Sequence, residues 1–296
     1  MKELVVISGK GGTGKTSIVA SLAALAGNAV LADCDVDAAD LHLLLQPKIL
    51  YREDFRAGLK AVIEPEKCTS CGLCADLCRF EAISESSVEE GSEETTYKSD
   101  PVSCEGCGVC AYFCPEKAIQ MVQPVCGEWY LSDTRYGPLI HARLGVAEEN
   151  SGKLVTLVRN QAKKYAEKTE IDLIIIDGSP GVGCPVISSL AGADLVLAVT
   201  EPTVAGRHDL KRLGELTRHF GIPTVVCINK WDLNLDLASE IEKDSAEEGM
   251  KVLGKIRYDS VFTKAQIEGV SVVEHSNDGV VLEIENMWKK LKELLR

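Results

Sequence analysis

The hydrophobic positions of the chain form two repeating patterns that together predict alternating strands and helices. Unbroken apolar runs occur at 3–8, 29–33, 172–177, 194–201, 223–230 and 251–259. Runs that are apolar at nearly every position are typical of strands buried on both faces. Between them, apolar side chains recur at helical spacing, for example at 153–168. Since parallel strands need a crossover connection, this alternation predicts an α/β fold with a mainly parallel sheet.

The pattern is interrupted between residues 62 and 122 by two similar blocks. Aligning 65–83 with 101–119, an offset of 36 residues, gives nine identities in 19 positions, of which four are cysteines. We therefore interpret 62–122 as an inserted, duplicated domain, and 1–61 with 123–296 as one discontinuous domain around it. The stretch 84–96 between the blocks has five glutamates and no basic residue. It is predicted to be a solvated loop, with an acidic docking patch as the alternative.

Composition narrows the classes of function. The 296 residues carry a formal net charge of −13, which argues against a broad nucleic-acid surface. No charge-free apolar run approaches the roughly 20 residues of a membrane span. The opening segment MKELVVISGK shows no signal peptide, so we expect a cytoplasmic protein. Eight of the twelve cysteines lie between Cys68 and Cys114 at short regular spacings, which favours metal ligation over disulfides.

A glycine-rich segment directly follows the first predicted strand and fits the phosphate-binding pattern GxxxxGK[ST]. Glycines allow backbone N–H groups to encircle phosphate oxygens, and the following helix N-terminus favours negative charge. Lys15 is expected to reach the β- and γ-phosphates, and Thr16 to offer its hydroxyl to Mg²⁺. The predicted loop residues are Gly9, Lys10, Gly11, Gly12, Thr13, Gly14, Lys15, Thr16 and Ser17.

The two cysteine blocks each read C-x₂-C-x₂-C-x₃-C, which is the run found in bacterial ferredoxins. In that arrangement three cysteines of one run bind one [4Fe–4S] cluster and the fourth binds the other cluster. The predicted ligand sets are Cys68, Cys71, Cys74 and Cys114 for the first cluster, and Cys104, Cys107, Cys110 and Cys78 for the second. Paired zinc knuckles are the alternative. Arg79 stands where the first run would be followed by proline.

Lys10 adds an early lysine to the phosphate loop. With it, the sequence resembles the deviant-P-loop ATPases of the MinD/ParA group, which includes nitrogenase iron protein and the Mrp/Nbp35 iron–sulfur proteins. The resemblance implies a P-loop NTPase fold and, for the insertion, a small α+β ferredoxin-like domain of the bacterial 2[4Fe–4S] type. It also implies that the active form is a dimer in which Lys10 reaches the nucleotide of the partner.

The same resemblance assigns the acidic residues at the strand ends. Asp33 and Asp35 fall in the first switch, where Asp35 would activate the attacking water and Asp33 would support Mg²⁺ or its water shell. Asp177 matches the Walker B aspartate, and 178–181 resembles the second switch. The resemblance therefore makes Lys10, Lys15 and Asp35 the predicted catalytic residues, with ATP and Mg²⁺ as ligands.

The segment Asn229-Lys230-Trp231-Asp232 follows a late predicted strand. By the resemblance, Asn229 would hydrogen-bond adenine, and the deviant phosphate loop favours ATP as the nucleotide. The segment also fits the NKxD pattern by which GTPases recognise guanine, in which Asp232 would accept hydrogen bonds from the base. GTP therefore stays open as the alternative.

Other residues have less specific interpretations. Cys227 is predicted to be a small core residue. Cys184 follows the second switch and, by resemblance to nitrogenase iron protein, is a candidate ligand of a cluster that bridges a dimer. His141 is interpreted as a structural histidine, with a partner contact as the alternative.

The combination predicts a dimeric iron–sulfur protein that binds and hydrolyses ATP and transfers electrons to a partner under nucleotide control. The expected partners are a second copy or a paralogue, and a redox or metallocofactor protein, without nucleic acid or stable membrane association. An iron–sulfur carrier or maturation factor is the first alternative. It is weakened because all eight cysteines are used within the chain. A spatial-positioning ATPase like MinD is the second, and it needs the amphipathic segment 281–296 as a membrane-binding tail instead of a core helix.

Overall fold

Strands and helices alternate along most of the computed structural model, which describes residues 1–87, 95–145, 150–277 and 279–296. The strands are β1 (Lys2–Ser8), β2 (Val30–Asp33), β3 (Lys48–Arg56), β4 (Lys60–Ile63), β5 (Ile83–Ser87), β6 (Thr95–Ser99), β7 (Ile119–Val122), β8 (Val125–Thr134), β9 (Gly137–Leu144), β10 (Leu173–Asp177), β11 (Leu195–Thr200), β12 (Thr224–Asn229) and β13 (Lys251–Ile256). The helices are α1 (Lys15–Ala26), α2 (Leu41–Leu45), α3 (Leu73–Asp76), α4 (Val109–Phe113), α5 (Ser151–Thr169), α6 (Cys184–Leu190), α7 (Val204–His219), α8 (Leu235–Glu247), α9 (Val261–Glu268), α10 (Val272–His275) and α11 (Gly279–Leu294).

Nine strands form one sheet in the order β13-β12-β11-β1-β10-β2-β9-β8-β3. Its seven strands from β13 to β9 pair in parallel. Strands β1 and β11 are buried almost throughout, because helices cover both faces of the sheet at its centre. The predicted α/β P-loop fold with a mainly parallel sheet is confirmed.

The last helix, α11, packs its apolar face into the core of this sheet. Val280, Ile284, Met287, Trp288 and Leu291 are all at most 3% exposed and belong to the main hydrophobic cluster. Burial of such side chains stabilises a fold by about 1.5–3 kcal/mol each, so this face is committed to the core. None of the described helices is long and apolar enough to cross a membrane.

Three strands of the sheet were not among those predicted from the apolar runs. Strand β3 is exposed at eight of its nine positions, and β8 and β9 mix polar and aromatic residues with apolar ones. Strands β8 and β9 form a hairpin closed by Arg135 and Tyr136. Their pattern is not a continuous apolar run because they lie toward one edge of the sheet, where β3 is the last strand.

The chain divides into two compact units. The sheet unit comprises Met1–Glu53, Trp129–Leu144 and the described part of Ser151–Arg296. The cysteine unit comprises the described part of Asp54–Glu128 together with Gly145 and Asn150, and so includes the described residues of 62–122, the range that we interpret as an insertion.

The cysteine unit contains two short antiparallel pairs, β4 with β7 and β5 with β6, and the helices α3 and α4. The prediction that 84–96 is a loop is wrong at its ends, because 84–87 and 95–96 lie in strands β5 and β6. Alternating side chains there pair across the two strands, which the acidic composition did not indicate. The middle of this stretch, 88–94, lies outside the described residues.

Candidate functional site

The phosphate loop joins β1 to α1 at the edge where the parallel strands β1, β10 and β2 end together. Ligands of open α/β sheets bind at this edge. Gly14 has a φ of +89°, and a Cβ added there would lie 2.4 Å from the Asn229 Nδ2 atom. Only glycine is compatible with this position. The loop, Asp35, Asp40, Pro180 and Gln266 line a cleft of about 600 Å³, large enough for a nucleotide.

Lys15 lies buried at the base of this cleft between carboxylates. Its Nζ atom donates a short hydrogen bond to Asp177 Oδ1 and lies 3.5 Å from Asp35 Oδ2. Burial opposes the charge of Lys15, but the Asp177 and Asp35 carboxylates outweigh it and raise the pKa of the ammonium group. The predicted phosphate lysine and two predicted acidic residues therefore form one charged group.

Asp33 is fully buried, and both of its carboxylate oxygens accept hydrogen bonds from backbone N–H groups of the first switch. Oδ1 accepts from the N–H of Asp35 at 3.1 Å, and Oδ2 accepts from the N–H of Leu41 at 3.2 Å. Burial, and then the negative charge of Asp177, raise the pKa of Asp33 well above its usual range. Asp33 thus fixes the loop that carries Asp35, while its support of Mg²⁺ stays a prediction.

Asp177 supplies the atom that best fits a metal ion. Within the described part of the chain, its Oδ2 atom is buried and has no hydrogen-bond partner. A buried carboxylate oxygen without a partner is costly unless a ligand satisfies it. Carboxylate and hydroxyl oxygens are hard donors of the kind that Mg²⁺ prefers. Asp177, together with the Thr16 hydroxyl predicted from the motif, therefore fits a magnesium ion.

Asp35 lines the same cleft and is only partly buried. Burial, opposed by Lys15, raises its pKa to about 6. A carboxylate with a pKa near neutrality can accept a proton from an attacking water molecule. Its position fits the predicted role in activating water, and that role stays a prediction.

Lys10 is engaged within its own chain. Its Nζ atom lies 2.7 Å from Glu201 Oε1, while Lys230 Nζ lies 3.1 Å from Glu201 Oε2 and donates to the Gly12 carbonyl at 3.0 Å. Burial opposes the charge of Glu201, but hydrogen bonds from the two lysines outweigh it and lower the pKa of the carboxyl. The sequence analysis missed Glu201 and Lys230. The signal for Glu201 was a carboxylate at the end of a predicted parallel strand.

Neither Asn229 nor Asp232 is among the residues that line the cleft. Asn229 is buried; its Nδ2 donates to the Thr13 carbonyl at 2.7 Å and its Oδ1 accepts from the N–H of Lys230 at 3.0 Å. Asp232 accepts from the N–H of Tyr258 at 2.6 Å. Asn229 therefore braces the phosphate loop, and the base contacts assigned to both residues stay predictions.

Gln266 of α9 is a further cleft residue that the motifs did not reveal. Its Nε2 atom donates to the Ser17 hydroxyl at 2.9 Å, at the start of α1. On the opposite side, the Ser179 hydroxyl of the second switch donates to the Cys34 carbonyl at 2.6 Å. The second contact holds the two switch segments together next to the phosphate loop.

The cysteine unit groups its eight predicted ligands around two separate cavities. The first cavity is lined by Cys68, Cys71, Cys74 and Cys114, and the second by Cys78, Cys104, Cys107 and Cys110. Each cavity thus takes three cysteines from one block and one from the other. We call these sets the first ring and the second ring. The two groups have the same members as the crossed ligand sets expected from the sequence, and cluster binding by them stays a prediction.

Within residues 1–87, 95–145, 150–277 and 279–296, no three histidine, cysteine or acidic side chains converge as ligands of a single metal ion. A four-iron cluster holds its thiolates around a larger volume than one ion does. Apolar side chains such as Ile63 and Ile119 at the first ring and Met121 at the second complete the cavities. Four thiols around an apolar cavity fit the donor chemistry of a [4Fe–4S] cluster.

The remaining cysteines differ in exposure. Cys34 and Cys227 are buried. Burial raises the pKa of the Cys34 thiol above its usual range and raises the pKa of the Cys227 thiol to about 12. Cys126 donates to the Ala57 carbonyl at 3.2 Å. Cys184 is exposed at the start of α6, and its bridging role stays a prediction. Arg79 is exposed, with its guanidinium 5.8 Å from the centre of the Phe80 ring.

His141 lies inside the sheet unit. Its Nε2 atom is 2.9 Å from the Ser132 hydroxyl, and its ring stacks on Tyr130 with centroids 4.9 Å apart. At 8% exposure, it has the surroundings of a structural histidine.

Comparison with known proteins identifies relatives along almost the whole chain. The family model described as the CobQ/CobB/MinD/ParA nucleotide binding domain matches residues 4–272. "Uncharacterized protein MJ0578" of Methanocaldococcus jannaschii is 34% identical, over 99% of this chain and 97% of its own length.

Solved structures agree with this at the level of the fold. The cell division ATPase MinD of Pyrococcus furiosus gives a TM-score of 0.59 at 16% identity, over 99% of both chains. The septum site-determining protein MinD of Pyrococcus horikoshii, complexed with Mg-ADP, gives 0.58 at 17% identity, over 99% of this chain and 96% of that one.

Proposed function

Because the chain belongs to the CobQ/CobB/MinD/ParA nucleotide-binding domain family, we propose that it is a dimeric ATPase that carries two [4Fe–4S] clusters. Its nucleotide state controls electron transfer to a partner protein. The observation that carries the proposal is the presence in one chain of the Lys15–Asp177 pair in a nucleotide-sized cleft and of eight cysteines grouped in fours.

The ATPase part follows from the charges of the cleft. Lys15 and the N–H groups of the loop bind the phosphates, and the open Oδ2 atom of Asp177 takes part in binding Mg²⁺. Asp35 orients the attacking water and accepts its proton, which its raised pKa supports. In the dimer, Lys10 leaves Glu201 and reaches the partner's nucleotide.

The iron–sulfur part follows from the two rings. The cysteines of the first ring hold one cluster and those of the second ring hold the other, as cysteine thiolates. When bound, such clusters supply one-electron redox chemistry. The chain's own contribution is to hold the thiols around two apolar cavities within one small unit.

The two alternatives have less support. A cluster carrier needs ligands that release the cluster, whereas here each ring has four cysteines from the same chain. A spatial-positioning ATPase is supported by the fold that the chain shares with MinD structures. Its membrane-binding tail would have to be α11, whose apolar face is buried in the core. Electron transfer under nucleotide control is therefore the function we propose.

The proposal is tested on protein purified without oxygen, by iron and sulfide analysis and by ATPase assays of three variants. We expect about eight irons and eight sulfides per chain, the content of two four-iron clusters. Lys15→Ala should lose tight ATP binding, because the buried phosphate cation is removed. Asp35→Ala should keep ATP and accumulate as a dimer, because hydrolysis is impaired while binding is not.

Asp37→Ala is the matched control, since Asp37 is an exposed carboxylate of the same switch. It should hydrolyse ATP at the wild-type rate. Wild-type activity in Asp35→Ala would refute the catalytic assignment, and stoichiometric zinc without sulfide would refute the iron–sulfur assignment. A parallel assay with GTP decides the base: a clear preference for GTP would assign base recognition to Asp232.

A further inference from the structure

Lys10, the lysine that the proposed dimer needs, is held by a turn of its own chain. This turn, 201–203, joins β11 to α7. The Lys10 Nζ atom lies 2.7 Å from Glu201 Oε1 and 3.5 Å from the Thr203 hydroxyl. The charge of Lys10 is therefore neutralised within the chain before any second copy is present.

The start of the phosphate loop is packed closely against α7. A Cβ added at Gly9 would lie 2.1 Å from the Asp209 Cβ atom, so only glycine fits at this position. The Ser8 hydroxyl donates to the Lys10 carbonyl at 2.9 Å and fixes the backbone of Lys10. Movement of Lys10 toward a second chain therefore falls to its side chain, which is 36% exposed.

Glu201 is also bound by a second lysine. Its other carboxylate oxygen, Oε2, lies 3.1 Å from Lys230 Nζ, which in turn donates to the Gly12 carbonyl at 3.0 Å. The Glu201 side chain is only 14% exposed, and a carboxylate in such a place is costly without a cation beside it. Because Lys230 remains, the contact with Lys10 can open without leaving Glu201 unpaired.

The contact between Lys10 and Glu201 lies beside the nucleotide cleft and not in it. The described residues that line the cleft include the loop at 11–17, but neither Lys10 nor Glu201 is among them. A nucleotide bound to one chain therefore does not displace Glu201 from Lys10 directly. The phosphates of a nucleotide in a second chain would offer Lys10 a competing anion.

We propose that Glu201 is an autoinhibitory latch on Lys10, which holds this lysine in the single chain and so sets how tightly two nucleotide-bound chains associate. The inference rests on the proposed function, because it requires that Lys10 reaches the nucleotide of a partner chain. Each subunit has to open its own latch, so the cost of opening enters the free energy of dimer formation twice. Lys230 is the cation that stays on Glu201 in the dimer.

The test measures the dissociation constant of the dimer by analytical ultracentrifugation, on the full chain purified without oxygen and loaded with Mg²⁺ and a non-hydrolysable ATP analogue. Glu201→Gln keeps the shape of the side chain and removes the charge that holds Lys10. It should lower the dissociation constant about tenfold, because two partly exposed ion pairs, each worth about threefold, no longer have to be broken. Lys230→Gln should raise the dissociation constant, because Glu201 then depends on Lys10 alone.

Two controls separate the latch from a general effect of charge or of folding. Glu215→Gln removes an exposed carboxylate of α7 and should leave the dissociation constant at the wild-type value. In a Lys10→Ala background, Glu201→Gln should change nothing, because the lysine that it releases is absent. A purely structural role of Glu201 would act in both backgrounds alike.

The latch is refuted if Glu201→Gln fails to tighten the dimer, if it tightens the dimer in the Lys10→Ala background as well, or if Glu215→Gln tightens it equally. A tighter dimer in Lys230→Gln would also refute it. Failure of the proposed function gives a different result. A wild-type chain that stays monomeric with the ATP analogue, or a Lys10→Ala variant that dimerises like the wild type, refutes the role of Lys10 at the partner's nucleotide and the latch with it.

Discussion

His141 shows at the scale of one residue how burial fixes a protonation state. Burial, and then the charge of the neighbouring His42, lower its pKa to about 4. The unfolded chain takes up a proton near pH 6.5, whereas the folded chain does not until about pH 4. The stability that His141 contributes is therefore complete above pH 6.5 and is lost as the pH falls from there toward 4.

We predict that His141→Gln removes this pH dependence. Between pH 7 and pH 5 the wild-type free energy of unfolding should fall by roughly 2 kcal/mol more than that of the variant. All three tryptophans belong to the sheet unit, so urea unfolding followed by tryptophan fluorescence reports on that unit. His219→Gln, at an exposed histidine, should retain the wild-type dependence. If the free energy of unfolding of His141→Gln fell between pH 7 and pH 5 by as much as that of the wild type, the prediction would be contradicted.

The residues of the candidate site were predictable to the extent that a local motif contains them. Lys15 and Asp177 could be recognised because a phosphate loop and a strand end are local patterns. Glu201 also follows a strand end, but its place beside the loop depends on the order of the strands in the sheet. Gln266 reaches the loop through helix packing, which has no local signature.

Arg135 illustrates how one element holds others at the scale of the fold. It lies at the turn between β8 and β9 and donates to the carbonyls of Leu44 at 2.9 Å and Gly269 at 3.2 Å. It also forms an ion pair with Glu274 at 2.9 Å. These acceptors lie in α2, just after α9 and in α10, so the hairpin turn ties three helices together.

We predict that Arg135→Ala lowers the free energy of unfolding of the sheet unit by about 2 kcal/mol, since carbonyls at helix ends lose a charged donor. Arg135→Lys should keep only part of the free energy of unfolding that Arg135→Ala loses, because lysine lacks the planar fork that reaches several acceptors. Urea unfolding at pH 7 measures both variants. The control is Arg143→Ala, at an exposed arginine of β9, which should change stability by less than about 0.5 kcal/mol. Equal effects at 135 and 143 would refute the role of the turn.

The elements themselves were predicted unevenly. The central parallel strands were recognisable because burial on both faces makes every position apolar. Strand β3 was not, since a largely exposed strand has no apolar run to reveal it. Strands β5 and β6 are mostly polar and are exposed at half of their positions, and their pairing depends on contacts outside each segment.

At the scale of the whole molecule, the chain leads from the first switch to the cysteines over a short distance in sequence. Asp33 and Asp35 are followed by α2 and then by β3, which begins in the sheet unit and ends in the cysteine unit. In the proposed function, the nucleotide and the clusters influence each other's binding or redox equilibria, and such linkage is reciprocal.

We predict that ATP changes the cluster potentials or the affinity for the partner, relative to ADP and to no nucleotide. A coupling of about 1–3 kcal/mol corresponds to roughly 40–130 mV for one electron. Lys10→Ala should abolish the change while the iron and sulfide contents stay at the wild-type level, because it prevents the nucleotide-bridged dimer. Redox titrations and partner-binding assays with ATP, with ADP and without nucleotide measure this change. Identical values in all three states would contradict nucleotide control.

The shared composition of the two rings has a consequence for how far the two blocks of the cysteine unit depend on each other. Each ring takes three cysteines from one block and its fourth from the other. A chain with a single block could complete a ring only by associating with a second copy, each copy lending its last cysteine to the other. In this chain the two blocks are joined, so the exchange takes place within one molecule, and neither ring is complete without both blocks.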